Sequence, residues 1–266
     1  MRLHICSKSA SSFGHAEKNC QPQPDSTSFR RFVRAVARPM YLSRLLSVLV
    51  SIFFLTACVD ISGRSAAQLA PMQPAQKSRF AREGHVYCIL GWLGIWSRGM
   101  DAIAQRVDSE LKIEATSLGN SEWRKLVAYV RTEHQTGRWS GPLVLVGHSI
   151  GSDDEIRVAK LLNAGNVSVD LLILIDPDDP PTIPPNVRHC VNIFKSHPVV
   201  DYVPVFRGVK VRAADPNRTL IENIDLRTAQ VGFDTKAIDH FNIAEIEGVQ
   251  DMVLAEIAKA CPRKRR

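Results

Sequence analysis

The 266-residue chain has no internal repeat at any solenoid-like period, which excludes a stacked-repeat architecture. It has no apolar run long enough to cross a bilayer comfortably: the longest, Leu45 to Leu55, falls well short of the roughly 20 residues a spanning helix needs. Its six cysteines show no spacing of a disulfide framework or a zinc site, so neither a metal nor a cofactor is expected. Cys88 and Cys190 sit inside apolar strand patterns, where cysteine behaves as a small buried hydrophobe, and Cys261 closes the last helical pattern. Nor does the chain carry the basic surface that nucleic acid requires. The formal net charge is +7, but residues 1–57 hold eight Lys and Arg against Glu17 and Asp25; +6 therefore belongs to that stretch and about +1 to the rest. What remains, 45% hydrophobic and 23% charged, describes one ordinary globular domain with additional sequence before it.

That additional sequence is informative. Leu45 to Leu55 has the length of a signal-peptide apolar region, with Arg44 just before it and small residues just after. Leu55-Thr56-Ala57-Cys58 resembles a bacterial lipobox, which implies that Cys58 becomes the lipid-modified first residue of an envelope protein facing the periplasm. Residues 1–39 are long, polar and without periodicity, a doubtful N-terminal extension, whereas Met40 heads a compact leader. The expected organisation is therefore an extension over 1–39, a signal peptide over 40–57, a lipidated Cys58 with a flexible Ala/Gln/Ser/Pro tether over 58–83, and a folded domain over 84–266. A start at Met1 with a non-functional leader would instead leave the protein in the cytoplasm. The Arg263 to Arg266 run reads as a solvated tail, with anionic headgroups as its only expected contact if the chain is lipid-anchored. Oligomeric state is left open.

From residue 84 the pattern alternates strand and helix. Strands are expected at His85–Leu90, at Leu111–Ala115 with the alternating polarity of a sheet edge, at Pro142–Val146, at Val169–Ile175 and at Val187–Phe194. Between them lie helical faces: Met100, Ile103, Ala104 and Val107; Trp123, Leu126, Val127 and Val130; Ile156, Ala159 and Leu162. A last helix carries Ile246, Val249, Val253 and Ile257. Gly208 to Leu226 reads as a hairpin turning at Asp215-Pro216-Asn217. Such alternation implies a three-layer α/β sandwich, a mostly parallel sheet with helices on both faces.

The chemistry concentrates at Gly147-His148-Ser149-Ile150-Gly151. An apolar strand precedes it, and a helix whose first turn carries Asp153, Asp154 and Glu155 follows. Strand, sharp turn and helix form the context of a nucleophile elbow, in which Ser149 is lifted into a cleft. A serine hydroxyl needs a base, and the base an orienting acid. In the order Ser, Asp, His, the acid is Asp176, directly off the strand ending at Ile175, and the base is His240, on the loop entering the last helix. Asp201, after Val199-Val200, is the alternative acid; Asp178 and Asp179 read as solvated turn residues beside prolines. The oxyanion donors expected are the backbone amides of Ile150 and Trp92, the latter in Gly91-Trp92-Leu93-Gly94. Trp92 and Trp96 are also candidates to line an acyl cleft.

Residues 84–262 resemble the α/β-hydrolase superfamily, in a small form similar to its lidless cutinase-like and compact lipase-like members. The resemblance is carried by the Gly147–Gly151 elbow, Leu174-Ile175-Asp176-Pro177 and Asp239-His240-Phe241. It implies a serine hydrolase that cleaves a carboxylic ester or thioester through an acyl-enzyme, with a small acyl ester or thioester as substrate and the membrane as a partner through the lipid anchor. An acyltransferase using the same triad, and a non-catalytic binding scaffold on the same fold, share these residues. Two features depart from the superfamily pattern. The two strands that normally open the sheet have no room before residue 84, and Ser152-Asp153-Asp154 replaces the small residues usual after the elbow.

Overall fold

In a computed structural model of the protein, the described residues are 44, 62–70, 79–94, 97–197 and 208–264. All elements below belong to the unit Phe53–Arg266. The extension, the leader, Cys58, Trp96 and Asp201 lie outside the described residues. Among the described residues no helix is long and apolar enough to cross a membrane.

Six strands form one sheet: β1 (His85–Ile89), β2 (Glu114–Leu118), β3 (Leu143–His148), β4 (Val169–Ile175), β5 (Val187–Phe194) and β6 (Leu220–Asp225). Every pairing is parallel, in the order β2-β1-β3-β4-β5-β6. Among the described residues the sheet is flanked by α1 (Gly99–Arg106), α2 (Trp123–Gln135), α3 (Ile150–Asn163) and α4 (Glu247–Ala260). Alternate strand residues feed two separate cores. Val86, Cys88, Val144, Val146 and Ile173 pack with Met100 and Ile103 of α1 and Val249 and Val253 of α4. Tyr87, Ile89, Leu145, Leu172 and Leu174 pack with Leu126 and Val130 of α2 and Ile156 and Leu162 of α3. The result is a three-layer α/β sandwich, because strands apolar on both faces can be buried only by covering both. The chain runs from β1 outward to β2 and then to β3 on the other side of β1. The strand order therefore reverses between β1 and β3, and a crevice opens beyond their carboxyl ends.

Several expectations are corrected. The edge strand lies at Glu114–Leu118 rather than 111–115, because α1 runs on as a π-helical stretch through Leu111. Lys112 then turns the chain with φ 55°. The strand remains at the sheet edge and only partly buried, as its alternating polarity implied. The expected hairpin between 208 and 226 does not form. A turn is present, with the Asn217 N–H donating to Asp215 Oδ1 at 3.0 Å, but β6 continues the parallel sheet against β5. Side-chain amides satisfy the backbone beside it: Asn192 donates to Val209 O, and Asn223 exchanges hydrogen bonds with both Val211 N–H and Val211 O.

The stretch expected to be a flexible tether is docked over 62–70. Gly119 N–H donates to Arg64 O at 3.1 Å, the Ala66 N–H donates to Glu122 at 2.8 Å, and Arg64 meets Asp101 at 2.9 Å. Residues 81–83 are held as well, through Lys112 O and Pro262 O.

The three carboxyls after the elbow lie inside the protein. Asp153, Asp154 and Glu155 are buried. Burial pushes Asp153 up to about 7, opposed by a hydrogen bond from the Asp179 N–H and abetted by the charges of Asp178 and Asp154. Asp154 rises to about 6 for the same reason, despite its 2.6 Å bond from Arg157. Glu155 is raised by burial and by Asp154, and neither of its oxygens has a hydrogen-bond partner.

Each carboxyl therefore has a folded-state pKa above its unfolded value, so the native state keeps protons that the unfolded state has released. Their penalty is absent below the unfolded value of 3.8, grows as pH rises, and is complete for Asp153 above about 7. In an Asp153→Asn, Glu155→Gln double variant the fall in Tm between about pH 5 and about pH 8 is expected to be smaller than in the wild type. Thermal unfolding at the two pH values checks this, and an unchanged difference would refute the assignment.

Candidate active site

Ser149, His240 and Asp176 converge at the carboxyl end of the sheet. Ser149 follows β3 with φ 57° and ψ −131°, and Asp176 follows β4 with φ 46°, backbone regions that side chains rarely occupy. The sheet holds both in place. The Ser149 N–H donates to Ile175 O at 3.0 Å, and the Asp176 N–H to Ile193 O at 2.8 Å. The elbow also needs its glycines. A methyl at Gly151 would lie 2.4 Å from Ile89 O, and one at Gly147 would lie 2.5 Å from Gly151 O, so any other residue would force strand and helix apart. The Ser152 hydroxyl ties the turn to its neighbour, donating to Gly147 O at 2.7 Å and accepting from the Ile175 N–H at 3.2 Å.

His240 sits in a turn that organises itself. Asp239 Oδ1 accepts from the Phe241 and Asn242 N–H groups, and Asn242 Oδ1 accepts from the Asp239 N–H. The imidazole Nε2 lies 2.9 Å from Ser149 Oγ and Nδ1 lies 2.7 Å from Asp176 Oδ2. With Nδ1 protonated toward the carboxylate, Nε2 is free to accept the serine proton. Burial pulls the His240 pKa down. The hydrogen bond and charge of Asp176, with the charges of Asp178 and Asp239, outweigh it and hold the ring above its ordinary value of 6.5. Asp178 is thus a buried contributor to the site's field rather than a solvated turn residue, whereas Asp179 is exposed and spends its N–H on Asp153 at 2.9 Å.

Ile150 is the first residue of α3, where a helix presents N–H groups that have no intrahelical acceptor. The turn carrying Trp92 abuts the nucleophile: a methyl at Gly91 would lie 3.1 Å from Ser149 Cβ and 3.0 Å from His148 O. Leu93 and Gly94 follow with positive φ, closing that turn tightly over β1. A cavity of about 330 Å³ opens on the other flank, lined by Asp176, Lys195, His197, Ile238, Asp239, His240 and Phe241. Among the described residues no cluster of His, Cys, Asp and Glu is arranged to hold a metal ion.

Sequence reasoning missed His148. It is fully buried, and its Nε2–H donates to His240 O at 2.9 Å, while Nδ1 accepts from the Ser97 hydroxyl at 2.7 Å. Burial, then the nearby His240, lowers its pKa to about 3, partly offset by the bond to His240 O, so this ring stays neutral. One buried imidazole therefore joins the turn after β1 to the loop bearing His240. A histidine inside the elbow motif was visible; its burial and its partners, both distant in sequence, were not.

No protein-family model and no curated protein sequence matches the chain. Among solved structures it is similar to the thioesterase domain of NocB from the nocardicin cluster, at 13% identity over 70% of this chain and 96% of that one, with a TM-score of 0.42. It is similar to a cutinase-like protein from a Cryptococcus species, at 15% identity over 67% and 95% of the two chains, TM-score 0.38. It is also similar to Est1E from Butyrivibrio proteoclasticus, at 12% identity over 69% and 92%, TM-score 0.37. One of these is a thioesterase domain by name and one is called cutinase-like; at such identities the likeness does not extend to activity.

Proposed function

We propose that the protein is a serine hydrolase that cleaves a carboxylic ester or thioester through an acyl-enzyme. The observation that carries this reading is the unbroken chain from Ser149 Oγ through His240 to Asp176, at 2.9 and 2.7 Å. Ser149 attacks the acyl carbon while its proton passes to His240 Nε2. Asp176 keeps the ring in the required tautomer and stabilises the imidazolium that forms. The amides of Ile150 and Trp92 are the proposed donors to the oxyanion, each worth roughly 10²–10³ in rate. The C–O or C–S bond then breaks, and the leaving group takes the proton from His240. Water, activated by the same ring, releases the acid and regenerates Ser149.

We further propose that the protein acts from a lipid anchor at Cys58, in the envelope, where an ester is a more available substrate than a CoA thioester. The docked segment supports a specific placement. Arg64 meets Gly119, one residue past the carboxyl end of β2 and so at the same end of the sheet as Ser149. The four residue-to-residue steps from Cys58 to Ser62 span at most about 14 Å. An anchor there holds the serine-bearing end of the sheet close to the bilayer, within reach of esters at its surface.

Fluorophosphonate labelling and nitrophenyl-ester turnover of the domain are expected to vanish in Ser149→Ala, with a loss of about 10⁶ in turnover. Absence of labelling in a folded wild type would overturn the hydrolase in favour of a binding scaffold, and acyl transfer to an added alcohol in preference to water would make it a transferase. Asp176→Asn is expected to cost orders of magnitude in kcat, up to about 10⁴, while Asp201→Asn leaves kcat unchanged. The acidic limb of kcat/KM in the wild type should lie above about pH 6.5, because rate is lost as pH falls through the raised His240 value. Cys58→Ser should leave an uncleaved or soluble product; unchanged fractionation and mass would refute the anchor.

A further inference from the structure

We propose that Lys195 is a positioning residue that holds the acid and the base of this site in register with one another; the inference rests on the hydrolase reading. Lys195 directly follows β5, which ends at Phe194. Its backbone N–H donates to Asp176 Oδ1 at 3.2 Å, while Asp176 Oδ2 faces His240 at 2.7 Å, so the two oxygens of the acid are divided between Lys195 and the base. Its ammonium reaches across forty residues of sequence to donate to Thr235 O at 2.7 Å, Lys236 O at 3.0 Å and Ile238 O at 2.7 Å. An ammonium has three donors, and all three are used on the segment that leads into His240.

That segment has no strand or helix of its own to fix it. Residues 235–240 form turns, and their carbonyls are not part of the sheet ladder. Besides the Asn242 amide, which donates to Ala237 O from the same loop, two clamps act on them from strand ends: Lys195 from β5 on residues 235–238, and His148 from the elbow on the carbonyl of His240. Only Lys195 also touches the acid. Its backbone is placed by the sheet and its side chain is spent on the base loop, so a single residue fixes the spacing across which Asp176 and His240 bond. A spacing error of about 1 Å in such a constellation costs on the order of 10² in rate.

The test uses the domain with Lys195→Met, which keeps the apolar stem and removes the donors, and Lys195→Arg, which keeps charge and donors. Assayed well below its Tm, Lys195→Met is expected to lose about 10² in kcat, with KM within about threefold of the wild type. Its acidic limb in kcat/KM should move to lower pH, because a loosened Asp176 bond no longer lifts His240. Lys195→Arg should restore the limb and at least about a tenth of the lost turnover. Amide hydrogen exchange over 235–242 is expected to accelerate in Lys195→Met whether or not Ser149 is reactive. Unchanged exchange there would overturn the proposal even if the hydrolase reading itself had failed. Faster exchange with kcat and acidic limb both unaltered would equally overturn it, leaving Lys195 as a loop cap that stabilises the fold alone.

Discussion

The site depends on parallel ladders that overrun their strands by one residue. Ser149 and Asp176 each stand just past a strand end, yet each still donates its N–H to the last carbonyl region of the neighbouring strand, Ile175 for the first and Ile193 for the second. Those bonds anchor two residues whose positive φ would otherwise cost roughly 1–3 kcal/mol each and relax away. The register of β3, β4 and β5 thereby becomes the spacing of the nucleophile and the acid. The side chains leave the sheet at its edge instead of alternating into a core. Close approach completes the arrangement, since α3 rests directly on the carbonyls of β1 through Gly151.

The base obeys a different constraint. No ladder reaches His240, so its position is set by side chains that serve backbone carbonyls: Asp239 and Asn242 shape the turn, His148 grips it from beneath, and Lys195 grips the approach. Two of these four, His148 and Lys195, come from strand ends. The loop bearing His240 is thus tied to the rigid part of the molecule at several points.

What was legible in the sequence follows the same division. The buried strands and the elbow were visible because apolar β-branched runs and a glycine-bracketed serine report local geometry. The order of Ser149, Asp176 and His240, which the structure brings together, could be read because Ser149 and Asp176 stand at strand ends and His240 lies in the loop before the last helix. Periodicity failed where tertiary contact decided the outcome. Leu111 to Ile113 alternate like a strand but are consumed by the helix and its left-handed exit. The turn at Asp215 was visible, but nothing in residues 220–225 distinguishes an antiparallel partner from a parallel one. The stretch 62–70 has the composition of a linker and is nevertheless held by Gly119, Glu122 and Asp101. His148 and Lys195 were illegible because a donor to a main-chain carbonyl leaves no pairing of residue types to detect.

On the proposed mechanism the carboxylates around His240 have a chemical consequence, although the Lys195 ammonium lines the same cavity. Asp176, Asp178 and Asp239 all raise His240, and Asp153 is buried close behind them. A negative surround stabilises the imidazolium that exists only after Ser149 has given up its proton, which lowers the barrier to attack. The same surround opposes the oxyanion that forms at that moment. The opposition is tolerable because the two charges develop in different places. In the proposed mechanism the imidazolium faces Asp176, whereas the oxyanion would form toward the N-terminus of α3, where backbone N–H groups supply positive potential. On that mechanism the oxyanion is left to main-chain amides. The turn of Gly91 and Trp92 abuts Ser149, and Gly151 lets the first turn of α3 approach the carbonyls of Ile89 and Leu90 at the end of β1.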